Sequence, residues 1–130
     1  MKRNIIIIGL VVVMLTASIT ELIIHNNFYK GIHDDLLQVR AYIEQDDGDL
    51  EDSGASELID DIIERFVGHR WLTMSISNHA HVVTASEHLV RLKQEIALGR
   101  REEATVQVAV TIVYFEDLMG DINPTLTNIF

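Results

Sequence analysis

The stretch that decides the fold is Met1–Gln45, MKRNIIIIGLVVVMLTASITELIIHNNFYKGIHDDLLQVRAYIEQ. Two cations, Lys2 and Arg3, precede an uncharged run from Asn4 to Thr20, and the first acid is Glu21. A positive flank before an apolar block is the pattern of a segment whose N-terminus stays in the cytoplasm while the chain crosses the membrane. A span needs about 20 apolar residues at about 1.5 Å rise each, and Ile5 to Ile24 supplies them if Glu21 sits at the far headgroup level. Residues 1–25 are therefore expected to be a transmembrane anchor, with residues 5–24 in the bilayer and residues 26–130 extracytoplasmic. The alternative is a secretory signal, with Thr16-Ala17-Ser18 as the nearest approach to a small-x-small cleavage site. That site has no Ala-x-Ala, and apolar character resumes at Leu22-Ile23-Ile24. Both readings export the remainder.

Beyond Ile24 the period changes. Phe28, Ile32, Leu36, Val39 and Ile43 recur at three and four residues, so the anchor is expected to run on into an amphipathic helix. Residues 44–56, EQDDGDLEDSGAS, hold two glycines, many carboxylates and one large apolar residue, Leu50. They are expected to form an acidic linker, with Ser53 or Ser56 capping the next helix. A second helical region spans about Glu57 to Leu98. Its first face is Leu58, Ile59, Ile62, Ile63 and Phe66, and Gly68 predicts a kink just before Trp71. A stripe then continues through Leu72, Ile76, His79, Val82 or Val83, Ala85, Leu89, Leu92 and Ile96, with Glu95 on the outer face. Gly99 suits a C-terminal cap, with Arg100 and Arg101 near the negative end of the helix dipole.

The third segment, Glu102 to Ile122, reads two ways. Val106, Val108, Val110, Ile112 and Tyr114 alternate as in a strand. Val108, Ile112, Phe115, Met119 and Ile122 also make a helical stripe. A lone strand in a helical chain would have no edge to pair with, which favours a helix over Glu102 to Ile122. Pro124 ends it, and the tail to Phe130 is apolar enough to pack. The fold expected is all-α: an N-terminal transmembrane helix followed by a small antiparallel helical bundle of about three helices.

Trp71, Asn78-His79, the run Glu87-His88-Leu89-Val90-Arg91-Leu92-Lys93 and the terminal Leu126-Thr127-Asn128-Ile129-Phe130 resemble an uncharacterised bacterial family, domain of unknown function 4363. The resemblance covers nearly the whole chain. It implies a short anchor, a helical exported domain, and a Trp and a His on the central helix. The chain departs from the family pattern after His79, where Ala80, His81, Val82 and Val83 stand in place of an acidic residue. The resemblance implies no activity.

Composition narrows the function classes. Setting aside Lys2, Arg3 and Glu21 leaves 19 acidic and 8 basic residues, a net charge of −11 for the exported part. Such a surface repels nucleic acid and anionic lipid. The chain has no cysteine, which removes disulfides, thiolate metal sites and a Cys nucleophile. A hydrophobic fraction of 48% against 23% charged is that of a folded domain rather than a disordered tail.

Six histidines are present, yet none falls in a His-x-x-x-His or His-Glu-x-x-His pair of the kind that puts two imidazoles on one ion. His79 lies on the apolar stripe and is expected at the edge of the core. The acidic linker offers one cation frame: Asp49, Glu51, Ser53, Glu57 and Asp60 stand at positions one, three, five, nine and twelve, with Gly54 at six, as in an EF-hand loop. Against it, Ser56 occupies position eight, where an apolar residue belongs, and Asp60 is one methylene short of the bidentate Glu. No nucleophile elbow, Ser-x-x-Lys pair or phosphate loop occurs. The reading is a non-enzymatic, membrane-anchored extracytoplasmic interaction or accessory protein, with no cofactor and no bound metal. Its partner is another membrane or cell-envelope protein, or itself, and Trp71, His79 and Phe130 are the candidate interaction or packing residues. The alternative is a ligand- or calcium-responsive sensory module that uses the acidic loop.

Overall fold

The computed structural model describes residues 2–45, 48–76 and 79–122, with side chains described for residues 3–45, 48–70 and 79–120. The described residues contain helices and no strand. Helix α1 runs without interruption from Lys2 to Gln45, a single rod of 44 residues and about 66 Å. A 3₁₀ turn, Leu50–Asp52, leads into α2 (Gly54–Ile76), followed by α3 (His79–Ala97) and α4 (Arg101–Ile122). The ambiguous third segment is thus helical from Arg101 to Ile122.

The lower half of α1 packs on α2 and α4, and α3 packs on the same two, so four helices close a square. Cross-helix pairs fix the directions. His25 meets His69, Tyr29 meets Phe115, Lys93 meets Asp60 and His88 meets Gln107, which makes every neighbouring pair antiparallel. The bundle therefore has four helices rather than about three. The difference has two sources: α1 contributes its own second half to the core, and the Glu57–Leu98 region divides into two helices.

That division falls between Ile76 and His79, not at Gly68. Helix α2 passes straight through Gly68, because one glycine in a helix costs only about 1 kcal/mol against alanine, less than packing returns. The acidic linker is correspondingly shorter than residues 44–56, since α1 reaches Gln45 and α2 begins at Gly54.

Buried positions on each helix follow a three-four alternation. They are His25, Tyr29, Ile32, Leu36, Val39 and Ile43 on α1, then Ala55, Ile59, Ile62 and Phe66 on α2. On α3 they are Val82, Ala85, Leu89, Leu92 and Ile96, and on α4 Ala104, Val108, Thr111, Phe115 and Leu118, with Ile112 beside them. A 3.5-residue period keeps one seam facing the partner helices, the pattern of left-handed four-helix bundles. Tyr29 rather than Phe28 takes the fully buried register on α1, and Phe28 covers the seam from its flank. Buried Thr111 returns its hydroxyl to the Gln107 carbonyl at 2.7 Å, so its polarity is satisfied within the helix.

The end of the bundle far from the apolar stretch is closed by three devices. Leu50, the one large apolar residue of the linker, is buried and joins the core. Gly99 takes a φ of 65°, while the Gly99 and Arg100 amides donate to the Ile96 and Glu95 carbonyls at 3.0 Å each, forming a Schellman cap on α3. Arg101 reaches across instead of capping α3: its guanidinium donates to the Ile43 carbonyl and, at 2.9 Å, to the Gly48 carbonyl, at the negative end of α1. Glu95 is not an outer-face residue. Its side chain is only 16% exposed, 3.6 Å from Arg100, because it flanks the groove between α3 and α4.

Candidate functional site

The feature that sets this chain apart from a plain bundle is the change in α1 at His25. From Ile5 to Leu15 every large apolar side chain is exposed around the full circumference, and Ile19, Ile23 and Ile24 follow. From His25 onward, burial becomes periodic. A helix apolar on all sides cannot face water stably and belongs in lipid or in a core. This one is long and apolar enough to cross a membrane, and among the described residues nothing buries its apolar window. Its three hydroxyls are internally satisfied. Thr16 donates to the Val12 carbonyl at 2.8 Å, Ser18 to Met14 at 2.9 Å and Thr20 to Thr16 at 2.8 Å. That removes the polar cost these side chains would carry in hydrocarbon.

Where the apolar stretch enters the bundle, aromatic rings and two histidines form a plug. Phe28 stacks on His69 with ring centres 3.9 Å apart, and His25 meets His69 edge-on at 5.6 Å. Below them Tyr29, Phe66 and Phe115 make a layer with centroid separations of 6.0 Å. His25 is 1% exposed, and neither of its ring nitrogens has a hydrogen-bond partner among the described residues. Burial, with His25 beside it as the lesser cause, pulls the His69 imidazole below its ordinary value of 6.5. The His69 ring is thereby suited to the neutral form at neutral pH.

This plug was not among the expected sites. The signal was present, however: extending the stripe back from Ile32 at steps of three and four lands on Tyr29 and His25, and Phe66 leads by three to His69. Around it, His33 pairs with Glu116 at 3.0 Å, and the His81 carbonyl accepts from the Tyr114 hydroxyl at 3.1 Å. Arg65 bridges α2 to Asp35 of α1 and holds Asp61 at 2.9 Å.

The other expected residues fall as follows. His79 is exposed at the start of α3, and the buried face begins at Val82. It is not a core-edge group, because the preceding apolar positions, Leu72 and Ile76, belong to a different helix. The side chain of Trp71 and all of Phe130 lie outside the described residues. Of the EF-hand frame, residues 54–60 are the first two turns of α2, so no twelve-residue loop exists. Ser53 is buried and gives its hydroxyl to the Leu50 carbonyl at 2.7 Å, while Asp60 pairs with Lys93 at 2.6 Å. Asp49, Glu51 and Glu57 are exposed. Among the described residues no three His, Asp or Glu side chains converge as a metal site would require.

No protein-family model, curated protein or solved structure matches the chain. The resemblance to domain of unknown function 4363 rests on the residues quoted for it alone.

Proposed function

We propose that residues 5–24 span a membrane, that the N-terminus is cytoplasmic, and that the four-helix bundle stands on the outer face as a non-catalytic accessory or interaction protein. Its partner is a second membrane or cell-envelope protein. The observation that carries the reading is the unbroken α1: large apolar side chains exposed on every side from Ile5 to Leu15 and again at Ile19, Ile23 and Ile24, on a helix whose second half is a full member of the core. Such a rod transmits position rather than chemistry, because the bundle cannot swivel about its anchor without breaking α1 itself between Ile24 and His25. Lys2 and Arg3 at the near end support the orientation, and the net charge of −11 keeps the bundle off anionic headgroups. The layout is also the one expected for domain of unknown function 4363.

Alkaline carbonate washing of membranes tests the anchor. The full chain should stay in the pellet, and a variant lacking residues 2–24 should be released. Recovery of a shortened chain from the medium would replace the anchor with a cleaved signal.

A further inference from the structure

Helix α4 carries more apolar surface than the bundle uses. Its inner face supplies the core, yet Val106, Val110 and Val113 remain 65%, 44% and 54% exposed on the opposite side. Their spacing of four and three residues puts them in one straight stripe, with exposed Ala109 at its edge. These outward valines produce the strand-like alternation of 106–114. Exposed carboxylates bound the stripe at both ends, Glu102 and Glu103 below it and Asp117 above it, where Glu116 is turned to His33 of α1. After Arg101, which is turned onto the end of α1, α4 contains no basic residue.

We propose that this outer face of α4 is the docking surface for an amphipathic helix of another protein, with an apolar seam flanked by Lys or Arg. The inference rests on the anchored reading above and names the partner's chemistry. Charge selects the occupant. A lipid surface is excluded because α4 lies antiparallel to α1 and so runs along the membrane normal, and because its carboxylates repel anionic headgroups. A second copy is disfavoured for a geometric reason. Two chains anchored in one membrane stand at the same height, so each acidic end would meet its own counterpart, and like charges set opposite each other weigh against a pairing. A basic-flanked helix meets the valines with its seam and both acidic ends with its flanks, the helix-in-groove mode.

The test uses the full chain in lipid nanodiscs and two synthetic helical peptides with the same Leu/Ala seam, one flanked by Lys and the other by Glu. The Lys peptide should bind saturably and the Glu peptide should not. Val110→Asp should weaken the Lys peptide about tenfold or more, and the double variant Glu102→Lys/Glu103→Lys should shift preference toward the Glu peptide. Circular dichroism of each variant confirms that it remains folded. Equal binding of both peptides, or full binding by Val110→Asp, would overturn the proposal. So would efficient disulfide-linked dimers of Val110→Cys, which would assign the stripe to a second copy. Because the chain is reconstituted, failure here is separate from failure of the carbonate test, which addresses the anchor alone.

Discussion

Removing the Arg101 guanidinium while keeping its stem, as in Arg101→Met, should detach the end of α1 from the start of α4. The side chain is half-buried, and its two donors satisfy the carbonyls of Ile43 and Gly48, which lie at and just beyond the last turn of α1. Hydrogen bonds made by a charged group contribute about 1.5–3 kcal/mol, and partial exposure argues for the lower part of that range. A cation at a helix C-terminus adds about 0.3–1 kcal/mol. The expected loss is about 2 kcal/mol. For a domain of roughly 100 residues each kcal/mol moves the midpoint by about 4–8 °C, so Tm should fall by about 8–16 °C. Thermal melts of the full chain in detergent, followed at 222 nm, read this directly. Lys93→Met is the matched control: that ammonium is 51% exposed and meets the Asp60 carboxylate, itself 54% exposed, at 2.6 Å, and surface pairs contribute about 0–1 kcal/mol. Equal shifts for the two variants would refute the clamp.

Leu89→Ala or Leu92→Ala, each at a fully buried seam position, should cost about 2–5 kcal/mol and bring the bundle close to unfolding in urea titration. Gly68→Ala should stabilise by about 0.5–1 kcal/mol, since nothing lies within 4 Å of the added methyl. Gly99→Ala should instead destabilise by about 1–2 kcal/mol through its positive φ. Burial keeps the folded-state His69 from taking a proton that the unfolded chain accepts near 6.5. Stability should therefore be full above that value and fall as pH drops from 7.5 to 5.5, with a shallower fall in His69→Phe. Unchanged pH dependence in that variant would remove His69 from the account.

The seams were legible because periodicity is a local property. Ile32, Leu36, Val39 and Ile43 read as one face from spacing alone, as did Leu89, Leu92 and Ile96, and the Gly99 cap followed from one residue type in one place. Helix count was less legible, since it depends on where a seam is interrupted. Gly68 looked like the interruption, while the helix ends at Ile76, where no glycine or proline marks the break. Glu95 looked like an outer-face residue because a carboxylate one step from a seam can face either the groove or the solvent, and only the position of α4 decides between them. The acidic linker resembled a cation loop in composition, and it lost that shape when α2 took residues 54–60 into its first turns. Arg101 could be placed near a helix end but not assigned to α1, because the clamp joins residues 58 apart in sequence. The exposed valines of α4 were visible as an ambiguity between strand and helix, with no hint that the surplus faces outward.

The central claim is that α1 crosses a membrane and leaves the bundle outside. A chain without cysteine allows the most direct measurement: Glu64→Cys on the exposed face of α2 and Asn4→Cys at the start of α1, each as the sole thiol in intact cells, treated with a membrane-impermeant maleimide. The account predicts labelling of Glu64→Cys from outside, and labelling of Asn4→Cys only after the membrane is permeabilised. The opposite order, or labelling of both sites only after permeabilisation, would contradict it.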